Sequence, residues 1–587
     1  MPRDSDLSSS SSIYPIIAEI KDRRGESFSE DEMPGYVSPS LKDMCADLSQ
    51  LTEFNRAADV LVSSIKEKSK ICVFGDYDAD GVCSITSMVS FLREMGNEPV
   101  KVFVPDRMSD GHGLSESVAQ KIIEDLPDVL IVLDCGTTSG SVIQKLSPLI
   151  KKILVIDHHG AKGETRPEFP ENAVLVNLAI DANPSFRSQW GIGSAGVLTY
   201  GVILHATRVW RLLNDRPDYP DDQTIMEILI DCLALAALTA ITDMVPLKGI
   251  NRAIVKVGLK YVSRLNGIRA LAIAFDKPLD PDRITPEDVG FRYGPVLNAA
   301  GRIAHGKTAL EVMGALNCEH LPTTARHAVM INTERKAIQQ DVIDSCMDKI
   351  SEIVSDLDDL TNVMIIQNSD FHPGVVGLAA SRLLEMTNRP AIVIGMNGSG
   401  SGRSIEGFNI GDFVRLHVEK GNLAKGGGHS GAAGFTIADN DQALSAFKTD
   451  FMETTKGMLR PARLADLIRH GNLDKIDLAA LYNTMAPFGM GNPSIMVRVN
   501  EPDITFQKWF GSENQHWKCK IGTKNGGVEF LIFNVENAKS KTIQEIAVGK
   551  KNFNKGEIKA IIGTLRNSFD TYWNRYIVSV MIEDIVF

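Results

Sequence analysis

Residues 71–81 read Ile-Cys-Val-Phe-Gly-Asp-Tyr-Asp-Ala-Asp-Gly, and no other stretch constrains the fold as strongly. Ile71 to Phe74 form the apolar run of a short buried strand. Gly75 breaks it, Asp76, Asp78 and Asp80 follow at alternate positions, and Gly81 opens a segment, Val82 to Met95, with helical spacing. Asp forms strands and helices poorly. Three of them after a strand mark a turn at its carboxyl end, where open α/β sheets place their ligands. Carboxylates packed so closely repel one another and require a cation among them, and hard oxygen donors suit Mg²⁺ or Mn²⁺.

The same arrangement recurs twice. Asp128-Val-Leu-Ile-Val-Leu-Asp134-Cys-Gly136 is an apolar strand ending in an acid, and Lys152-Ile-Leu-Val-Ile-Asp157-His158-His159-Gly160 ends in an acid and two imidazoles. Strands and helices alternate from residue 71 to 245, which implies a parallel sheet, and in such a sheet these three strand ends converge. A fourth contributor follows. The segment Ile225 to Thr242 is almost wholly apolar, reads as a buried helix, and ends in Asp243. A carboxylate there is costly unless it is paired or bound to metal.

Asp76-Tyr-Asp-Ala-Asp-Gly81, Asp134-Cys-Gly136 and Asp157-His-His-Gly160 resemble the first three motifs of the DHH phosphoesterase superfamily. Over roughly residues 35–587 the chain most closely resembles its RecJ family of single-strand-specific 5′ exonucleases. The resemblance implies an α/β protein: a parallel-sheet DHH catalytic domain, a long linking helix, a smaller α/β DHH-associated domain and a C-terminal OB-like β-barrel. The expected divisions are a disordered N-terminal tail at 1–34, containing the serine run Ser8–Ser12, and a catalytic domain at 35–245. A helical region with the polar linking helix Ala325–Ile353 occupies 246–360, and the DHH-associated substrate domain 361–455. A helical connector and the barrel fill 456–587.

The implied reaction is two-metal hydrolysis of single-stranded DNA from its 5′ end, releasing 5′-mononucleotides in DNA repair and recombination. Asp78, Asp80, Asp134, His158 and Asp243 are the expected ligands of two Mn²⁺ or Mg²⁺ ions. Asp76 is grouped with them, with an orienting role as the alternative. His159 either ligates or meets the scissile phosphate, and Asp157 is expected behind the ligands. Imidazole among carboxylates favours Mn²⁺ over Mg²⁺. The loop Pro105-Asp-Arg107…Gly111-His112-Gly113 matches a family loop that contacts DNA, except that His112 stands where the family carries Tyr. Asn298-Ala-Ala-Gly-Arg302 matches a second family segment. Three glycine-dense stretches, His372–Gly377, Gly400-Ser401-Gly-Arg403 and Lys425-Gly-Gly-Gly-His429, read as loops able to cradle an anion, and the last matches the Gly-Gly-His signature of the DHH-associated domain. Arg107, His112, Arg302, Ser401, Arg403 and His429 are thus the expected substrate contacts.

Bulk properties limit the alternatives. The net charge of −12 argues against a non-specific nucleic-acid coat. Residues 505–575 nevertheless hold 12 Lys and Arg against 6 Asp and Glu, interleaved with Phe506, Trp509, Phe510, Trp517, Phe530, Phe569, Tyr572 and Trp573. That mixture suits a single-strand-binding barrel. The 8 cysteines form no Cys-x-x-Cys pair, which points away from structural zinc and toward reduced, buried thiols in a cytoplasmic protein. No apolar run approaches the roughly 18 residues that span a bilayer. The expected partners are single-stranded DNA, a helicase and a single-strand-binding protein, with no membrane, and the chain is expected to be a monomer. Within the superfamily, dinucleotide phosphodiesterases and pyrophosphatase are the rivals. A scaffold with a decayed metal site is the rival outside catalysis.

Overall fold

In the computed structural model, the described residues are 13–587 apart from 27–29, 42–47, 108–109, 112, 161–166, 181–192, 214–219, 354–363, 461–462, 474–475, 524–526, 536–539, 541, 545–551, 555 and 571–574. His112, the serine run, Tyr572 and Trp573 lie outside them.

Five apolar segments form the first sheet: β1 (Ile71–Gly75), β2 (Val100–Phe103), β3 (Val129–Leu133), β4 (Lys152–Ile156) and β5 (Ala173–Val176). All pairings are parallel and the order is β2-β1-β3-β4-β5. β1 and β3 are buried along their whole length, as their unbroken apolar runs require when helices cover both faces. On one face lie the helices Ala79–Glu94, Ala195–Arg211 and Asp222–Thr242, joined in one core with Thr52–Lys66. The helices Glu116–Ile123 and Gly140–Leu146 cover the other face.

Asp222–Thr242 is the one helix among the described residues that is long and apolar enough to cross a membrane by length and composition, which differs from the expectation for this sequence. Here it is a core helix: Cys232 to Ala240 are buried throughout. Six of the cysteines, Cys72, Cys83, Cys135, Cys232, Cys346 and Cys519, are buried and unpaired.

A 33-residue helix, Leu321–Ile353, leads out of this domain. Beyond it, β6 (Ile365–Gln367), β7 (Ala391–Ile394), β8 (Ser399–Arg403), β9 (Leu423–His429) and β10 (Ala432–Ile437) form a mixed sheet in the order β6-β7-β8-β10-β9. Two of the glycine-dense stretches expected as loops are therefore strands. Their glycines allow close packing: a Cβ at Gly402 would lie 2.3 Å from Ile410 Cδ1, one at Gly426 2.6 Å from Val414 Cγ1, and one at Gly400 2.2 Å from the Phe435 ring. The helix Ile410–Glu419 can approach this sheet only because Gly402 and Gly426 lack side chains, and Gly400 makes room for the Phe435 ring of β10.

The C-terminal sheet has seven strands in the order β11-β12-β16-β17-β15-β14-β13. They are β11 (Leu467–His470), β12 (Met496–Asn500), β13 (Ile504–Phe510), β14 (His516–Ile521), β15 (Val528–Ile532), β16 (Ala560–Asp570) and β17 (Arg575–Val586). The expected helical connector at 456–500 is thus partly sheet, and the helix Leu478–Met485 packs into the same core. Trp517 and Phe530 are core residues, while Phe506 is 47% exposed.

The expected disordered tail also needs correction from residue 13 onward. Tyr14–Arg23 is a helix whose Ile17 and Ile20, with Ile13 and Met33, are buried in the core of the C-terminal domain. Arg24 fixes it there through a two-pronged ion pair with Asp466, both bonds 2.9 Å, in a largely buried position.

Candidate metal centre

The turn after β1 is built by its own carboxylates. Asp78 caps the helix Ala79–Glu94, its Oδ1 accepting from the backbone N–H groups of Asp80 (2.9 Å) and Gly81 (3.1 Å). Gly81 is obligatory, since a Cβ would fall 2.2 Å from the carbonyl oxygen of Asp76. Asn298 braces the loop from outside by accepting the Ala79 N–H at 2.6 Å. Asp80 is 2% exposed and receives the Ala195 and Gly196 N–H groups, both at 2.8 Å, from the first turn of the helix Ala195–Arg211. The first two residues of that helix thus orient a candidate ligand, and a helix N-terminus favours the carboxylate there.

Asp134 follows β3 with φ 61°, a left-handed conformation that costs a non-glycine residue of order 1 kcal/mol or more. Asp157 follows β4 and receives the N–H groups of His158 (2.8 Å), His159 (3.2 Å) and Thr137 (2.9 Å), and it bonds His159 Nδ1 at 2.7 Å. Burial alone would raise Asp157, yet these bonds and the adjacent imidazoles hold it well below the usual carboxylate range. Burial likewise opposes charge on His159, but Asp157 outweighs it and lifts the imidazole to about 9. Asp157 thus acts as an ionised anchor for the His-His turn.

The acid-bearing ends meet. His158 Nε2 lies 3.3 Å from Asp134 Oδ1, 3.5 Å from Asp243 Oδ2 and 3.7 Å from Asp80 Oδ2. Three sets of donor atoms each fall within 4.8 Å of one another: Asp76, Asp78 and Asp134; Asp80, His158 and Asp243; Asp134, His158 and His159. Asp134 and His158 recur, so the sets are contiguous. All six residues expected as ligands are together, and His159 with them.

The chemistry of the cluster fits divalent cations. Burial, and after it the charge of a neighbouring Asp, pushes Asp76, Asp80 and Asp243 up to about 7, and Asp134 well above its ordinary value. Burial lowers His158, keeping the imidazole neutral and its lone pair free. Asp134 Oδ1 and His158 Nε2 are buried without a hydrogen-bond partner, an arrangement that is costly unless another group satisfies them.

The second domain faces this cluster. The His429 ring stacks against His159 with centroids 6.1 Å apart. Arg107 lies over the Tyr77 ring at 5.8 Å. Arg302 donates to the Gly374 carbonyl at 3.3 Å. Arg403 is held by Ser381 Oγ (3.0 Å), Ser401 Oγ (2.9 Å) and the Gly402 carbonyl (2.8 Å). Gly377 leaves the space they occupy, since a Cβ there would sit 3.0 Å from both Arg403 Nη2 and Ser401 Oγ. Of the expected substrate contacts, only His112 is outside the described residues. Sequence reasoning passed over Asn298 as a brace and over the buried Arg335.

Three family descriptions match successive parts of the chain: the DHH family N-terminal domain at residues 70–236, the DHHA1 domain at 360–455 and the RecJ OB domain at 472–584. The single-stranded-DNA-specific exonuclease RecJ of Haemophilus influenzae is 30% identical over 84% of this chain and 86% of its own length. The chain belongs to the RecJ family. The RecJ of Bacillus subtilis is 27% identical over 89% of this chain, which spans 63% of that longer relative. Among solved structures, RecJ from Thermus thermophilus in complex with Mn²⁺ superposes with a TM-score of 0.71 at 22% identity, covering 98% of this chain and 76% of that one. An exonuclease RecJ bound to manganese gives 0.53 at 25% identity, covering 69% and 94%. The RecJ OB domain match at 472–584 makes the C-terminal sheet part of the family architecture.

Proposed function

We propose that this chain is a metal-dependent exonuclease that hydrolyses single-stranded DNA in the 5′-to-3′ direction, releasing 5′-mononucleotides in DNA repair and recombination. One observation carries the reading: six carboxylate and imidazole side chains from four separate segments share one buried site, and guanidinium groups from two domains lie beside it. Solved relatives named for manganese complexes, among them one 25% identical to this chain, support Mn²⁺ as a resident ion, with Mg²⁺ as the alternative.

Asp76, Asp78 and Asp134 would hold one ion, and Asp80, His158 and Asp243 the other; Asp134 also falls in a donor set with His158 and His159. When bound, such a pair lowers the pKa of water, screens the anionic phosphodiester and stabilises the leaving oxygen. The remaining steps belong to the protein. Asp157 fixes the His158-His159 backbone and holds His159 protonated, so that His159 presents a positive edge toward the scissile phosphate. His429 closes on His159 from the second domain. Arg107, Arg302, Ser401 and Arg403 grip the 5′-terminal phosphate, and this sets polarity, because a strand can enter only with that end foremost. The C-terminal domain holds the trailing strand. The protein acts in the cytoplasm as a monomer, with a helicase and a single-strand-binding protein supplying and presenting the strand.

The test uses 5′-labelled and 3′-labelled single-stranded DNA, a dinucleotide and pyrophosphate, each with Mn²⁺. Immediate appearance of labelled mononucleotide from the 5′ label alone is the expected result. Turnover confined to the dinucleotide or to pyrophosphate, or none with any substrate, overturns the proposal.

A further inference from the structure

The helix Leu321–Ile353 is mostly polar and solvated, yet Arg335 within it is only 7% exposed. Its guanidinium is held by two neutral amides of the same helix, Asn332 Oδ1 at 2.6 Å and Gln339 Oε1. Among the described residues no carboxylate pairs with it. Buried arginines are ordinarily paired, because the cost of removing the charge from water is otherwise not offset. Asn332 and Gln339 orient the group and leave its charge whole.

Arg335 and Arg302 line the same cavity, of about 130 Å³, with Asn298, Thr242 and Leu378. Thr242 precedes the candidate ligand Asp243. Leu378 lies in the first turn of the helix Val376–Thr387, which has no side-chain cap; the Leu378 N–H bonds the Val375 carbonyl at 2.9 Å, while the Val376 and Gly377 N–H groups have no acceptor among the described residues and can meet an anion. Arg403 stands beside the same turn at Gly377. Burial first, and the charge of Arg302 second, pull both Arg335 and Arg403 down to about 10. Three guanidiniums therefore gather around one helix start without a side-chain cap, and among the described residues the two that flank Arg302 have no acid partner.

We infer that Arg335 is a specificity-determining contact of the end-phosphate pocket, placed so that the pocket selects a doubly charged terminal phosphate monoester over a singly charged diester or a hydroxyl end. This rests on the exonuclease reading above. A phosphomonoester carries about −1.5 to −2 charges at pH 7, against −1 for an internal diester. A cluster with this much uncompensated positive charge gains most from the former. Arg335 is also fixed before any ligand arrives, so little side-chain entropy is lost on binding.

The experiment compares wild type, Arg335→Gln and Arg335→Lys on single-stranded oligonucleotides of one sequence with a 5′-phosphate or a 5′-hydroxyl. In parallel, calorimetry measures binding of thymidine 5′-monophosphate and of thymidine. In Arg335→Gln the ratio of kcat/KM for the two ends should fall about 10- to 100-fold, the loss of one or two charge-assisted hydrogen bonds, mainly through KM. Lys should restore part of it. Thymidine 5′-monophosphate should weaken to the same degree while thymidine does not, and thermal stability should not fall. An unchanged ratio, or equal losses on both ends with a lowered melting temperature, overturns the inference and leaves the exonuclease reading intact. A wild type that discriminates neither ends nor nucleotides also overturns it. Failure of the wild type to release mononucleotides at all would instead count against the exonuclease reading, with the calorimetry still deciding the role of Arg335.

Discussion

Asp243→Asn isolates the electrostatic cost of the cluster. Burial first, and the charge of Asp78 second, raise Asp243 from an ordinary 3.8 to about 7. Between those values the folded, metal-free protein keeps a proton that the unfolded chain has released, so stability falls as pH rises, and the full cost applies above pH 7. One unit corresponds to about 1.4 kcal/mol. Raising the pH from 5 to 8 crosses about two units of that interval, so this one carboxylate costs the metal-free wild type about 3 kcal/mol. Asn carries no charge and is exempt. In EDTA the variant should therefore gain about 3 kcal/mol on wild type between pH 5 and pH 8. That corresponds to roughly 6–12 °C in the melting temperature of a catalytic domain of this size. Mn²⁺ should reverse the order at pH 8, because wild type binds the ion and the variant has lost a ligand. Thermal unfolding at the two pH values, with EDTA or Mn²⁺, measures all four cases. A difference between the proteins that does not change with pH, or a variant less stable than wild type in EDTA at pH 8, would refute the reasoning.

Three further outcomes are expected. Asp78→Ala should abolish turnover at saturating Mn²⁺ while DNA affinity, measured by fluorescence anisotropy, stays within a few-fold; retained turnover removes Asp78 from the ligand set. Arg403→Ala should raise KM for 5′-phosphorylated single strands about 10- to 100-fold, from the loss of charge-assisted bonds, and erode end preference; an unchanged preference contradicts its place in the pocket. Ile17→Ala should destabilise the C-terminal domain by about 2–5 kcal/mol, as for other buried Ile truncations, read by thermal unfolding; a silent substitution would mean that the N-terminal helix is not part of that core.

The convergence of the candidate ligands was legible because its signals are local. Each of β1, β3 and β4 is a pure apolar run stopped by an acid, and topology alone brings parallel strand ends together. Asp243 was legible at longer range, because a helix as apolar as Asp222–Thr242 has to be buried. Other features were hidden for physical reasons. Glycine is depleted in strands, so β8 and β9 read as loops; the close approach of Ile410, Val414 and Phe435 that selects those glycines is a tertiary fact. The helix Tyr14–Arg23 follows a polar, serine-rich start and is stabilised by Asp466, over four hundred residues away. Arg335 is one charge among many on a polar helix, and only the fold shows which side is buried. Trp517 and Phe530 entered a nucleic-acid argument from sequence, but the structure places both in the core.

Anomalous scattering at the manganese edge from Mn²⁺-soaked crystals tests the central claim most directly. Two peaks are expected, one among Asp76, Asp78 and Asp134 and one among Asp80, His158 and Asp243, with Asp134 adjoining both. Peaks elsewhere, or none at these side chains under saturating Mn²⁺, would contradict the account.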